Sequence, residues 1–154
     1  MPSSAMIKTL STPIQLIYAG GTFGSYGRLL APLSADVFLP TLQQLLAEHN
    51  AATHLTPVSW LNNDLIKDSS QLTPHDLIPF YRLSLSAYAQ GHKRFVLITG
   101  TDALSYLGAF LAEAFAGSDV CVVVTGSMRP LLDSEVLDAY AIDAHSEAWD
   151  NRTD

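Results

Sequence analysis

The sequence predicts an α/β fold, a mostly parallel sheet with helices on both faces, and three observations predict it. The runs "RFVLITG" (94–100) and "DVCVVVTG" (119–126) are short, nearly all apolar and β-branched, as strands covered on both sides are. Between them, "DALSYLGAFLAEAFAG" sets Leu104, Leu107, Leu111 and Phe115 along one side and ends on Gly117, which reads as a crossover helix. The chain has 154 residues, 48% of them apolar, which suits one domain with a core of its own.

The other elements follow the same signals. "IQLIYAG" (14–20) is a buried strand that closes on glycine. "SADVFLPTLQQLLAEHN" is a helix capped by Ser34, with Leu39, Leu42, Leu45 and Leu46 at helical spacing. "THLTPVSW" (53–60) is a weaker strand, and Pro57 suits an edge or a strand end. "TPHDLIPFYRLSLSAYAQG" is a helix with Thr73 at the cap, Pro74 at the first position and Gly91 past the end, and Pro79 should disturb its first turns. No internal repeat or interdomain linker is visible. Together these segments make a Rossmann-like alternation of strands and helices.

Composition excludes several function classes. The eight Lys and Arg are scattered and the net charge is −7, so the basic stripe that nucleic acid requires is missing. "MIKTLSTPIQLIYAG" is broken by Pro13 and Gln15, which leaves an apolar part shorter than the roughly 7 to 15 residues of a secretory h-region. No apolar run reaches the ~20 residues that span a bilayer, and a soluble, cytoplasmic protein with no membrane partner is expected. The lone Cys121, inside "VCVVVTG", reads as a buried, inert thiol, which fits a reducing compartment. His49, His54, His75, His92 and His145 are dispersed, so no metal site is expected. "GGTFGSYG" matches neither phosphate-binding glycine pattern, and no cofactor is expected.

In open parallel sheets ligands gather at the carboxyl ends of the strands. Three strands here end alike, in "YAGGT" (18–22), "ITGTD" (98–102) and "VTGSM" (124–128), each with a hydroxyl directly after glycine. Any one alone reads as a turn with a helix cap, and Ser127 reads as a structural hydroxyl. Together they describe a cleft for a small polar molecule, into which the hydroxyls of Thr22, Thr101 and Ser127 project.

In sequence, "AGGTFG" (19–24), "DSSQLTP" (68–74), "TGTDALSY" (99–106), "VVTGSMRP" (123–130) and "SEAWDN" (146–151) resemble the successive signatures of the bacterial-type asparaginase/glutaminase family. The resemblance covers nearly the whole chain, and its first and third blocks are the specific pair. It implies an L-asparagine amidohydrolase that acts on a small-molecule substrate, asparagine or glutamine, through a threonine nucleophile and an acyl-enzyme. Thr22 then takes the nucleophile's position, and Thr101 and Asp102 match the second threonine and the aspartate of the family's triad-like group. Asp102 would also pair with the substrate α-ammonium. Ser69 would bond the α-carboxylate and Ser70 would line the same pocket, unless a one-residue shift gives Gln71 that role; an ordinary cap before Pro74 is the competing reading of both serines.

Two departures from the family pattern matter. The loop "FGSYGRLLAPL" is short, and Leu30 falls where the family's loop tyrosine would align, which leaves Tyr26 as the candidate. The family's catalytic lysine lies beyond the "SEAWDN" block, outside this sequence, and Lys8, Lys67 and Lys93 match no signature. The resemblance thus implies residues 1–154 as an asparaginase-type N-terminal α/β domain, incomplete at its C-terminal end, with the smaller C-terminal domain absent and activity impaired. A homo-oligomer is implied as well, since the family forms dimers or tetramers. The rival reading is a non-catalytic module that binds a small molecule or a protein on the same scaffold.

Overall fold

The computed structural model describes residues 12–27, 29–53 and 56–132. The helix expected to begin in "SEAWDNRTD" and the Lys8 segment lie outside these residues. Four apolar runs form strands β1 (Ile14–Tyr18), β4 (Val58–Trp60), β5 (Arg94–Ile98) and β6 (Cys121–Thr125). They pair in the order β4-β1-β5-β6, every pair parallel, so all four strands end at one edge. A two-stranded antiparallel ribbon, β2 (Ser25–Tyr26) with β3 (Ala31–Pro32), follows β1 and is too short to be read from periodicity.

Pleating sends alternate residues of β1 to opposite faces. Leu16 and Tyr18 join Phe38, Leu39 and Leu42 of helix α1 (Ala35–Thr53) in one cluster. Ile17 and Ala19 join Phe80 of α2 (Pro74–Ala89) with Leu107 and Leu111 of α3 (Leu104–Ala114) in the other. Helices therefore cover both faces, as the sequence predicts. Ser34 directly precedes α1, and its carbonyl accepts from the Phe38 N–H at 3.0 Å. Buried Gln15 is the polar exception in β1, and its amide donates to Ser59 of the edge strand at 2.7 Å. No described helix is long and apolar enough to cross a membrane.

Three expectations are corrected. β4 begins only at Val58, with Pro57 at its start on the sheet edge, where a missing N–H costs least. Helix α2 runs unbroken through Pro79, because both Pro79 and His75 are exposed and water can reach the carbonyl left without its helical donor. Cys121 is exposed, not buried. Val122 and Val124 face α3, while Cys121, Val123 and Thr125 alternate onto the opposite face and are exposed.

Candidate active site

The turn after β1 is built from inside the core. Tyr18, 2% exposed, donates its phenol to the Gly24 and Leu33 carbonyls at 3.0 and 2.9 Å. Buried Ser25 donates to the Gly21 carbonyl at 2.8 Å. Thr22 thus opens a single 3₁₀ turn, Thr22–Gly24, held on both sides. It is half-buried, and its hydroxyl has no partner among the described residues.

The register of β1 and β5 sets Tyr18 beside Ile98, so the two chains leave the sheet together. Gly21 has φ +87°, and a Cβ there would lie 2.2 Å from the Gly100 nitrogen. Only glycine permits both the conformation and the approach. Gly100 is crowded from a second side: its own Cβ would lie 2.0 Å from the Ser69 hydroxyl oxygen. These contacts bring three turns together, Thr22–Gly24, Ser69–Gln71 and Thr101–Ala103.

Between the second and third turns lies a cavity of about 400 Å³, lined by Ser69, Ser70, Thr73, Asp102 and Tyr106 with apolar residues behind them. Ser69 is 7% exposed, while Ser70 is exposed and donates both its N–H and its hydroxyl to Asp68, at 2.9 and 2.8 Å. The Asp102 carboxylate is exposed and unpaired among the described residues. Gln71 does not line the cavity. Thr101 is half-buried and donates its hydroxyl to the Met128 sulfur at 3.1 Å. Neither Thr22 nor Thr101 lines the cavity; they head the adjoining turns. Tyr26 lies on the ribbon, half-buried against the α1-side cluster.

Two groups escaped the reading of the sequence. Tyr106, one turn into α3, is 73% exposed and forms part of the cavity wall. Asp76 accepts from the Thr73 N–H at 2.8 Å and hydroxyl at 2.9 Å, and from Lys67 Nζ at 3.1 Å. The Thr73 backbone bond, then its hydroxyl, then the Lys67 ammonium hold the Asp76 carboxyl below its ordinary value. Thr-x-x-Asp ahead of an apolar helix is a capping signature and could have revealed it. Both described lysines are engaged away from Asp102, Lys67 on Asp76 and Lys93 on Asp119.

A family model described as "Asparaginase, N-terminal" matches residues 13–141. No curated protein matches the chain. Among solved structures the fold is similar to L-asparaginase I from Vibrio cholerae O1 biovar eltor str. N16961, at 26% identity and a TM-score of 0.65, over 79% of this chain and 35% of that one. The chain therefore spans about a third of that relative's length. Paired glycines at touching strand tips, followed by hydroxyls and an acid, are thus found in a chain that belongs to the asparaginase family and matches its N-terminal domain.

Proposed function

We propose that this domain carries the core of an L-asparagine amidohydrolase site, with Thr22 as nucleophile. The observation that carries the reading is the Gly21–Gly100 contact, which sets Thr22 and the Thr101–Asp102 pair on adjoining turns at the carboxyl edge of the sheet. In the first half-reaction the Thr22 oxygen bonds to the side-chain amide carbon. The hydroxyl proton passes by way of Thr101 to the amide nitrogen, the C–N bond breaks and ammonia leaves. Water then attacks the aspartyl ester, aspartate departs and Thr22 regains its proton. In this structure the Thr101 hydroxyl donates to the Met128 sulfur, and it must turn that hydrogen toward the amide nitrogen to complete the relay.

Ser69 is proposed to take the α-carboxylate and Asp102 the α-ammonium, with Ser70 lining the same cavity while its own donors stay on Asp68. Fixing both ends of the zwitterion supplies much of the rate by orientation. Tyr26, four residues past Thr22, is proposed as the loop tyrosine. No described lysine reaches Asp102, so hydrolysis by these residues alone is expected to be slow.

One observation favours the non-catalytic reading: the recognition residues line the cavity and the two threonines do not. Acid-quenched mixtures of the chain with asparagine, digested and weighed, separate the two. An aspartyl ester on the peptide containing Thr22 supports the enzyme. No adduct, together with a higher melting temperature in asparagine, supports the binding module.

A further inference from the structure

The serine-bearing turn lies in a connection, residues 61–73, that contains no helix or strand beyond Ser69–Gln71 itself. Ser69 packs against Gly100 on one side, but Ser70 and Gln71 are exposed, so packing holds only the first residue of the turn. Its position depends on bonds at its two ends. Before it, the Lys67 N–H donates to the Ala19 carbonyl at 3.1 Å, which ties Lys67 to the end of β1. After it, Asp76 takes both Thr73 donors and fixes the start of α2. The Lys67 side chain spans the gap, with Nζ at 3.1 and 3.2 Å from the two Asp76 oxygens. One ion pair therefore closes a loop around Ser69 and Ser70.

We propose that Lys67 is a positioning residue, which through Asp76 holds the Ser69–Gln71 turn in the geometry that receives the ligand's α-carboxylate. It touches no ligand and does not line the cavity. The inference rests on the assignment of Ser69 to carboxylate recognition under the proposed function. Lys67 and Asp76 side chains are 36% and 15% exposed, a part-buried pair whose loss costs less than that of a buried one. Their effect is local: freeing the turn lets Ser69 sample positions that miss the ligand, and binding weakens while the reacting groups stay in place.

Lys67→Met, Lys67→Arg and Asp76→Asn, each in the full chain, test the proposal by two independent measurements. The first is hydrogen exchange at the Ser70, Gln71 and Leu72 amides, which requires neither ligand nor turnover. Lys67→Met is expected to speed it about tenfold with little change in melting temperature. The second is KM for asparagine together with aspartate affinity from thermal shifts. KM is expected to rise about fivefold at nearly constant kcat, and Lys67→Arg to restore most of it because the cation is kept. Unchanged exchange overturns the proposal, as does faster exchange with unaltered ligand affinity, or an Arg variant no better than Met. Asp76→Asn supplies the same readings if Lys67→Met does not fold. A parent chain that neither binds nor hydrolyses asparagine sinks the proposed function, and exchange alone then decides whether the clasp exists.

Discussion

Gly100 adopts φ −74°, ψ 156°, a backbone conformation open to any residue, so Gly100→Ala brings almost no torsional strain. Its Cβ would instead meet the Ser69 hydroxyl. The Ser69 Cβ is crowded as well, so the whole turn must shift; the melting temperature is expected to fall, and ligand affinity about tenfold or more, which thermal unfolding with and without aspartate measures. Thr99 supplies a prediction of opposite sign. It is fully buried, and its hydroxyl oxygen finds no hydrogen-bond partner among the described residues. Thr99→Val keeps the shape and removes the unmet polar atom, so stability should rise by about 1 kcal/mol in denaturant titration. At this scale the strand-tip glycines Gly21 and Gly100 were legible, since the close approach of their backbones demands that residue. Lys67 was not legible, because an ion pair across a connecting segment leaves no periodic trace.

Helix α2 and strand β6 separate what local signals can and cannot convey. The start of α2 was legible from Thr73 and Pro74, and its continuity through Pro79 was not, because the cost of a helical proline depends on exposure of the carbonyl it abandons. Asp76 makes that start pH-dependent. Its carboxyl is held below its ordinary value, so its contribution is complete above the unfolded-state value and fades as pH falls through the lower folded value. Asp76→Asn should therefore flatten the acid side of a melting-temperature profile below about pH 4. Strand β6 was legible as a strand, but apolar residues alone did not reveal that its residues alternate between half-buried and exposed among the described residues. Its exposed Cys121 should react with a thiol reagent in the native protein about as fast as a free thiol. Protection of that thiol would mean that some other part of the molecule lies over β6.

Over the whole molecule, the site depends on β1 and β5 being sheet neighbours although their segments are far apart in sequence. Parallel pairing is non-local, so alternation of strands and helices established the fold class without giving the order β4-β1-β5-β6. The family signatures linked "AGGTFG" to "TGTDALSY", and the register of Tyr18 beside Ile98 gives that link its physical form. All four strands of the parallel sheet end at one edge, so Thr22 after one tip and Thr101 and Asp102 after the next lie on adjoining turns. Ammonia release from L-asparagine by the 154-residue chain and by Thr22→Ala, measured side by side at matched concentration, tests the central claim most directly. A slow rate in the parent that drops about a hundredfold or more in the variant is the predicted result. Equal rates in the two, or none in either, would contradict it.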